Sequence, residues 1–315
     1  MKKTALVFPG QGAQTVGMGK QLFESSKAAR DVFESADSAL DIELSKLIFD
    51  GPIEELTRSN NAQPAILTVS IACLRALEEY LGEIMDRVSI LAGHSLGEYS
   101  ALVASNSLSL DNALSLVRRR GELMQIASEK TPGVMVALIG IDFESAKDLC
   151  SQTGAEIANV NSPMQVVLGG SKSAIEQATL IAKDYGVRRA IQLEVAGAFH
   201  TSMMASAQIE LAKELEKIEI SEAEIPVVSN SSAELIKHPE SIREELKIQT
   251  CSTVLWNQSV LLMAENGIEQ LVELGPSNTL SGLTKRISPE IEAISIQDLD
   301  TIKLFARSDF MNVEN

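Results

Sequence analysis

The feature that most constrains the fold is the pentapeptide Gly-His-Ser-Leu-Gly at residues 93–97, which has the form G-x-S-x-G. It follows a short apolar run at 88–92 and precedes a helix-like stretch at 98–104. A strand, a tight turn and a helix in this order make a nucleophile elbow, whose turn lifts the serine hydroxyl clear of the sheet. The glycines relieve crowding in that strained turn. The pattern therefore predicts that Ser95 is a nucleophile and that the backbone N–H after it faces a developing oxyanion.

Strand patterns alternate with helical patterns on both sides of this elbow. Strands are predicted at residues 4–8, 88–92, 225–229, 268–274 and 293–296. Helices are predicted at 63–81, 109–127, 203–218, 239–248, 254–266 and 277–286, and Pro64 suits the first turn of its helix. Such alternation indicates an α/β fold with a mostly parallel sheet covered on both faces. The chain beyond Asp298 has no pattern that we can interpret.

A different order of elements occupies the stretch from about 131 to 197. Strands are predicted at 134–139, 156–160, 165–169 and 189–195, with helices at 142–151 and 173–185. The order β-α-β-β-α-β is that of a ferredoxin-like unit. We therefore predict a large domain formed by residues 1–128 and 198–315, with a small ferredoxin-like subdomain, 129–197, inserted into it.

Composition places the chain among globular enzymes. Of its 315 residues, 45% are hydrophobic and 22% are charged. No apolar run reaches the roughly 18 residues of a membrane span, and the apolar stretch after Lys3 is too short for a signal peptide. The three scattered cysteines are expected to be reduced thiols. Together these features predict a cytoplasmic protein.

The formal net charge of −16 argues against binding to nucleic acid or to an anionic membrane. Basic clusters nevertheless occur at residues 118–120, 188–189 and 285–286. Most of them are expected to be solvated ends of helices or strands. The net charge therefore leaves small anionic ligands possible.

A serine nucleophile needs a base, and the chain has three histidines. His94 is adjacent to Ser95 and is expected to point away from its hydroxyl, whereas His238 lies in a polar loop and is expected to be exposed. His200 lies where the subdomain returns to the large domain, a common place for a pocket. His200 is therefore the predicted base, in the serine-before-histidine order of an α/β-hydrolase-like arrangement. Neither Asp184 nor Glu194 is marked as a third triad member, which leaves open a backbone carbonyl as the group that orients His200.

Arg120 is the second informative residue. It lies on a stripe of one helix face with four apolar residues at a 4-3-4-3 spacing: Ala113, Val117, Met124 and Ala127. An unpaired buried charge costs about 3–5 kcal/mol, so the guanidinium must find an anion. Either an internal glutamate or a substrate carboxylate held by two hydrogen bonds satisfies this requirement. The spacing alone does not choose between them.

The glycine-rich loop after the first predicted strand, Gly10-Gln11-Gly12, departs from both nucleotide-binding patterns. Thr15 replaces the third glycine of G-x-G-x-x-G, and Met18 replaces the lysine of a phosphate-binding loop. The loop follows the first strand, so its backbone N–H groups are expected to face the elbow and to complete an oxyanion hole.

These motifs occur in the order of a known enzyme family. The chain resembles the malonyl-CoA:acyl carrier protein transacylases of bacterial type II fatty-acid synthesis over residues 3–297. The resemblance is carried by Phe8-Pro9-Gly10-Gln11-Gly12, Asn61-Ala62-Gln63-Pro64-Ala65, Gly93-His94-Ser95-Leu96-Gly97-Glu98-Tyr99, Arg120-Gly121, Phe199-His200 and Glu273-Leu274-Gly275-Pro276. Each motif is weak alone, but together they are highly specific.

The resemblance implies an α/β-hydrolase-like domain with a ferredoxin-like insert, and it implies a role for each site residue. Ser95 is the nucleophile and His200 the base, and the backbone N–H groups of Gln11 and Leu96 form the oxyanion hole. Arg120 binds the free carboxylate of malonate. The remaining implied positions are Gln63 and Asn161 near the pocket, Phe199 as a residue typical of malonyl-selective members, and Leu255 as the source of the main-chain carbonyl that orients His200.

The implied reaction moves a malonyl group from malonyl-CoA to the phosphopantetheine thiol of acyl carrier protein, without a metal or redox cofactor. The implied partners are malonyl-CoA and acyl carrier protein, and the chain is expected to be a monomer. Acyl carrier protein is acidic, so residues 188–189 and 285–286 are candidates for its docking.

A serine hydrolase (esterase or thioesterase) fits the elbow and His200 equally well, and a non-catalytic acyl-binding protein is a third possibility.

Overall fold

The computed structural model describes residues 2–82 and 84–307. Its larger β-sheet has six strands: β1 (Thr4–Phe8), β2 (Val88–Gly93), β7 (Val227–Val228), β8 (Leu235–Ile236), β9 (Gln270–Leu274) and β10 (Glu292–Ile296). Their spatial order is β10-β9-β1-β2-β7-β8. Neighbouring strands are parallel except for β7 and β8. The predicted mostly parallel sheet is confirmed.

A smaller, antiparallel sheet has four strands in the order β4-β5-β3-β6. They are β3 (Val134–Ile139), β4 (Glu156–Ser162), β5 (Gln165–Gly170) and β6 (Arg189–Gln192), accompanied by helices α8 (Phe143–Thr153) and α9 (Lys172–Ile181). The strand predicted to reach residue 195 ends at Gln192, because Leu193 and Val195 turn into a pocket between the two sheets.

Within the described residues, twelve further helices cover the larger sheet and its ends. They are α1 (Lys20–Ser25), α2 (Lys27–Leu40), α3 (Leu44–Asp50), α4 (Ile53–Thr57), α5 (Ser59–Leu81), α6 (Gly97–Ala104), α7 (Leu110–Lys130), α10 (Ala205–Leu215), α11 (Pro239–Ile248), α12 (Trp256–Glu265), α13 (Thr279–Ile287) and α14 (Leu299–Ala306). Single 3₁₀ turns lie at Met85–Arg87, Ala182–Tyr185, Ser202–Met204 and Gln249–Cys251.

The larger sheet is buried on both faces because side chains alternate along each strand. Leu6 and Phe8 of β1 join the core formed with α2, α5, α6 and α7, whereas Ala5 and Val7 join the core formed with α12 and α13. A strand buried on both faces appears as a continuous apolar run, which is why 4–8 lacks polar alternation. The two layers of helices therefore hold the carboxyl ends of β1 and β2 in fixed positions.

Three local features differ from the sequence prediction. Pro64 lies inside α5 rather than in its first turn, because the Arg58 carbonyl already accepts hydrogen bonds from the N–H groups of Asn61 and Ala62. The short strand β8 was not predicted. The stretch beyond Asp298 forms α14, whose N-terminus is capped by the Asp298 side chain and Thr301; residues 308–315 lie outside the described residues.

In the described parts of the chain, no helix has both the length and the apolar character needed to cross a membrane. Cys73, Cys150 and Cys251 form no disulfide bond.

Candidate active site

The predicted elbow is present between β2 and α6. Ser95 has a φ of 53°, a left-handed conformation that costs a non-glycine residue about 1–3 kcal/mol and is common at active sites. A Cβ on Gly93 would lie 1.9 Å from the Gly97 carbonyl carbon, and a Cβ on Gly97 would lie 2.0 Å from the Phe8 carbonyl oxygen. Glycine at both positions therefore allows the turn to pack against the end of β1.

Asn230, which follows β7, stabilises this turn through two side-chain hydrogen bonds to its backbone. Its Oδ1 accepts a hydrogen bond from the Ser95 N–H over 2.6 Å, and its Nδ2 donates to the Gly93 carbonyl over 2.7 Å. The Asn230 side chain is buried, so both bonds form away from bulk water. One amide therefore holds the residues on both sides of His94. Sequence reasoning missed Asn230, because nothing in the local pattern at 225–230 marks it.

His200 lies directly against the elbow serine, with its Nε2 2.7 Å from Ser95 Oγ. On the other side of the ring, Nδ1 lies 2.9 Å from the main-chain carbonyl oxygen of Gln249. Because a carbonyl oxygen only accepts, Nδ1 carries the proton in the neutral ring and Nε2 is left as an acceptor for the serine hydroxyl. The His200 N–H also donates to the Thr250 carbonyl over 3.1 Å, which fixes its backbone.

The assignment of Leu255 as the orienting carbonyl was wrong. The Leu255 carbonyl instead accepts hydrogen bonds from the N–H and hydroxyl of Ser259, as expected of a residue that begins a helix. The alternative acids, Asp184 and Glu194, are both exposed. The carbonyl that the sequence left open as an alternative to an acid is therefore that of Gln249.

Burial, and in second place the nearby Arg120 charge, lower the pKa of His200 to about 3, although the hydrogen bond to the Gln249 carbonyl opposes the shift. Burial disfavours the imidazolium ion, and a neighbouring cation repels it. The ring is therefore neutral at neutral pH, which is the state needed to accept a proton from Ser95.

Arg120 is 1% exposed and lies on α7 with its guanidinium in the same pocket. Nη1 donates to Gln63 Oε1 over 2.8 Å, and Nη2 donates to Gln249 Oε1 over 2.9 Å and to Ser95 Oγ over 3.1 Å. Within residues 2–82 and 84–307, no Asp or Glu carboxylate forms an ion pair with Arg120, and its Nε has no hydrogen-bond partner. The internal glutamate partner considered from the sequence is therefore not found.

The predicted oxyanion donors are both available. Leu96 lies at the turn just before α6, and Gln11 lines the pocket in the loop after β1. Neither backbone N–H has a hydrogen-bond acceptor among the residues that the structure describes. Each is therefore free to donate to an oxygen atom of a bound molecule.

The remaining predicted residues surround these groups. The pocket has a volume of about 350 Å³ and is lined by Phe199 and Asn161 as well as by Ser95, His200 and Arg120. Gln63 is buried beneath it, in contact with Arg120. His94 Nε2 lies 3.0 Å from Asn161 Oδ1, so this ring is engaged away from Ser95, and His238 is exposed as predicted.

The described part of the chain contains no group of three or more His, Cys, Asp or Glu side chains arranged to hold a metal ion. The site combines the Ser95 hydroxyl, the imidazole of His200, two free backbone N–H groups and the buried guanidinium of Arg120. These groups suit attack on a carbonyl carbon of a molecule that also carries an anion.

Comparison with known proteins places these features in a family context. Residues 5–296 match the family described as "Acyl transferase domain". The chain is 42% identical over 309 residues to a malonyl CoA-acyl carrier protein transacylase of Bacillus subtilis, covering 96% of each protein. It is 40% identical over 303 residues to the protein of that name from Haemophilus influenzae, covering 95% of this chain and 96% of the relative.

Solved structures agree with this comparison. An acyl-carrier-protein-S-malonyltransferase from Bartonella henselae superposes with a TM-score of 0.92 at 37% identity, covering 96% of this chain and 98% of the other. A malonyl-transacylase in complex with a type II PKS acyl-carrier protein superposes with a TM-score of 0.91 at 38% identity, with coverage of 96% and 98%.

Proposed function

The chain belongs to the acyl transferase domain family, as a malonyl CoA-acyl carrier protein transacylase, and we propose that it carries the malonyl group on Ser95. The enzyme transfers malonyl from malonyl-CoA to acyl carrier protein in fatty-acid synthesis. Its proposed steps follow from the contacts of its own residues.

In the first step, His200 Nε2 takes the proton of Ser95 as Oγ attacks the thioester carbonyl of malonyl-CoA. The Oγ–C bond forms, and the tetrahedral oxyanion accepts hydrogen bonds from the N–H groups of Gln11 and Leu96. Such donors are each worth about 2.7–4 kcal/mol in proteases. The C–S bond then breaks, and the proton held by His200 passes to the departing sulfur of coenzyme A.

In the second step, the phosphopantetheine thiol of acyl carrier protein attacks malonyl-Ser95 after coenzyme A has left. His200 takes the thiol proton and returns it to Ser95 Oγ as the ester bond breaks. This ping-pong sequence regenerates the free serine. It uses no cofactor other than the malonyl-CoA thioester and the carrier-protein thiol that take part in the reaction.

The observation that carries the proposal is the Arg120 guanidinium, which is buried, has no acidic partner among the described residues and contacts Ser95 Oγ. A carboxylate supplied by the acyl group would complete its hydrogen bonding and neutralise its charge. Simple esters offer no such anion, so this residue favours malonyl transfer over a general serine hydrolase.

The direct test is incubation of the enzyme with malonyl-CoA and holo-acyl carrier protein, with both possible products quantified. Malonyl-acyl carrier protein is the expected main product. Free malonate as the main product would instead identify a hydrolase. Binding of malonyl-CoA without release of coenzyme A would identify a non-catalytic acyl-binding protein.

The carrier protein is proposed to dock at Lys285 and Arg286. Both are exposed on α13, whose Leu280 and Leu283 line the pocket. Among the described residues, neither forms an ion pair with an acidic side chain; Arg286 only donates to Gln165 Oε1, over 3.2 Å. In contrast, Arg118 and Arg119 are already paired with Glu122. A basic pair at the pocket is suited to an acidic partner.

We also propose how the chain divides into a large domain and an inserted subdomain. The elbow between β2 and α6 supports an α/β-hydrolase-like domain formed by 1–128 and 198–315, and the strand order β4-β5-β3-β6 supports a ferredoxin-like insert at 129–197. Amide hydrogen exchange of the full chain tests the boundaries. We expect two blocks of protection that change near residues 128 and 198, and one continuous block would contradict the division.

The proposed location of the enzyme is the cytoplasm, which fractionation of the source cells tests: recovery outside the cytoplasmic fraction would contradict it.

A further inference from the structure

Glu98 is a buried carboxyl group for which the mechanism above has no role. It lies in the first turn of α6, three residues after Ser95, and is 0% exposed. One oxygen, Oε2, accepts a hydrogen bond from Gln249 Nε2 over 2.5 Å. The other, Oε1, has no hydrogen-bond donor among the residues that the structure describes. A carboxylate buried with so few donors is costly, so its protonation state matters.

The Gln249 side chain connects Glu98 to the cation of the active site. Its Nε2 donates to Glu98 and also to the Ser95 carbonyl, over 3.0 Å, while its Oε1 accepts from Arg120 Nη2. Because a guanidinium group only donates, the amide must turn its oxygen toward Arg120 and its NH₂ group toward the two acceptors. Glu98 is therefore the far end of a chain that runs Arg120–Gln249–Glu98.

The charged neighbours of Glu98 determine which carboxyl group carries a proton. Glu245, which lies on α11, is the ionisable group that acts on Glu98. Arg120, at the other end of the chain, is acted on by Tyr99 and by Glu98. Glu245 accepts from the Ser229 hydroxyl over 2.6 Å, from the Ser231 N–H over 3.1 Å and from the Ser231 hydroxyl. Three donors stabilise a charge on Glu245, so Glu98 is the better candidate for the proton.

The electrostatics agree with that geometry. Burial raises the pKa of Glu98 well above its usual range, and the neighbouring Glu245 raises it further; the hydrogen bonds from Gln249 and from the Asn230 N–H oppose this shift without cancelling it. Two adjacent buried carboxyl groups do not both ionise readily, because each charge repels the other.

We propose that Glu98 is a positioning residue that acts as an uncharged carboxylic acid, holding Gln249 against Arg120 while leaving the charge of Arg120 for the carboxylate of the acyl group. An ionised Glu98 would place a negative charge that only the Gln249 side chain separates from the Arg120 guanidinium. That charge would weaken the attraction of Arg120 for a substrate anion. This inference deepens the proposed function and rests on the role given there to Arg120.

The protonation state can be measured without substrate. Infrared spectra of the wild-type enzyme and of Glu98→Gln, both at neutral pH, should differ by one band of a protonated carboxyl group that only the wild type shows. Loss of a carboxylate band instead would overturn the proposal. This readout does not depend on catalysis, so its failure is distinguishable from failure of the proposed function.

The positioning role is tested by the rates of Ser95 acylation by malonyl-CoA and acetyl-CoA. Glu98→Leu removes the acceptor of Gln249, so Gln249 no longer holds the charged Arg120 in place. Losing one hydrogen bond to that guanidinium should raise the KM for malonyl-CoA about tenfold, while changing that for acetyl-CoA less than about twofold. Glu98→Gln keeps an acceptor oxygen and should restore the malonyl-CoA value to within about twofold of wild type.

Two results would contradict this role. Equal losses for both acyl groups in Glu98→Leu would mean that Glu98 only supports the fold. A Glu98→Gln variant as impaired as Glu98→Leu would mean that the acid charge is required. If Glu98→Leu does not fold, Glu98→Gln and the infrared difference still decide between the neutral and the ionised acid.

Discussion

Arg120 Nη2 donates a hydrogen bond to Ser95 Oγ over 3.1 Å, so the buried cation directly contacts the proposed nucleophile. The same oxygen lies 2.7 Å from His200 Nε2. The group proposed to bind the carboxylate and the group proposed to remove the proton therefore meet at one atom. In the proposed function, acyl selection and activation of the nucleophile are therefore coupled at Ser95 Oγ.

Replacing Arg120 with alanine should separate malonyl from acetyl transfer. The variant loses the only proposed partner of the malonyl carboxylate, which should cost about 3 kcal/mol, or roughly a hundredfold in kcat/KM for malonyl-CoA. Acetyl-CoA has no carboxylate, so its rate should fall much less. Stopped-flow release of coenzyme A measures both rates.

The neighbouring Arg119 provides a matched control, because it is paired with Glu122 at the surface. Arg119→Ala should leave both rates near those of wild type. If Arg120→Ala reduced malonyl and acetyl transfer equally, Arg120 would be a structural residue rather than the carboxylate clamp.

The pH dependence of kcat/KM should report the lowered pKa of His200. Because burial, and then Arg120, lower that pKa to about 3, the base remains neutral as pH falls from 8 to 5. Loss of activity caused by protonation of His200 should therefore be absent from that range. An acidic limb centred near the usual value of 6.5 would contradict this account.

In Arg120→Ala the same profile, measured with acetyl-CoA, should move in a defined direction. Removing the cation removes the second cause of the shift, so the pKa of His200 rises and the acidic limb moves to higher pH. Burial remains, which keeps the limb below 6.5. A limb unchanged from that of the wild type would mean that Arg120 does not act on His200.

Exchange of Leu255 should have little effect, because Gln249 supplies the carbonyl that orients His200. We expect Leu255→Ala to change kcat by less than about twofold, apart from any loss of stability caused by its smaller side chain. Gln249→Ala keeps its own carbonyl but loses three side-chain hydrogen bonds, so its KM for malonyl-CoA should rise. A large fall in kcat with Leu255→Ala would return the orienting role to that residue.

Asn230→Ala should loosen the nucleophile turn. The variant loses two buried hydrogen bonds, to Ser95 and Gly93, which should reduce the free energy of unfolding by about 2–3 kcal/mol. Misplacement of Oγ should also lower kcat roughly ten- to a hundredfold. Asn230→Asp keeps the acceptor for the Ser95 N–H and should show a smaller loss of kcat.

Thermal unfolding and the burst of coenzyme A release measure these two effects separately. The exposed Asn106, which donates to Glu224, offers a control for activity in Asn106→Ala; its left-handed φ of 58° gives that variant a loss of stability of its own. If Asn230→Ala were as active as that control, the Asn230 side chain would have no part in positioning Ser95.

Reversal of charge at Lys285 and Arg286 should weaken docking of the carrier protein. We expect Lys285→Glu with Arg286→Glu to raise the KM for acyl carrier protein about tenfold and to leave the malonyl-CoA half-reaction unchanged. Added salt should reduce the difference, because exposed charges are screened. Lys147→Glu with Lys172→Glu, two exposed changes on α8 and α9, controls for the same change in net charge. An unchanged KM would exclude this patch and direct attention to Arg188 and Arg189.

The features predicted correctly from the sequence were those with local signatures. The elbow depends on a strand, a turn and a helix that are adjacent in the chain, and its glycines are required by contacts within the turn and with Phe8. Arg120 was found because a charge on an apolar helix stripe is visible in the spacing alone. The structure places Arg120 and Ser95 in contact, which the spacing by itself did not predict.

The features that were missed depend on contacts between distant segments. A main-chain carbonyl has no residue signature, which is why the acceptor for His200 was placed at Leu255 rather than at Gln249. Asn230 reaches a backbone N–H 135 residues away, which no local pattern reports. Glu98 did have a signal: it lies in the first turn of a helix whose residues are all buried, and four consecutive apolar residues at 101–104 indicate that burial.

The central claim is that Ser95 carries the malonyl group between two thiols. Mass spectrometry of the intact protein and of its peptides, after brief mixing with malonyl-CoA, tests it most directly. The account predicts a mass increase of one malonyl group on the peptide that contains Ser95, absent from Ser95→Ala and discharged by holo-acyl carrier protein. An adduct on another residue, or transfer to the carrier protein by Ser95→Ala, would contradict it.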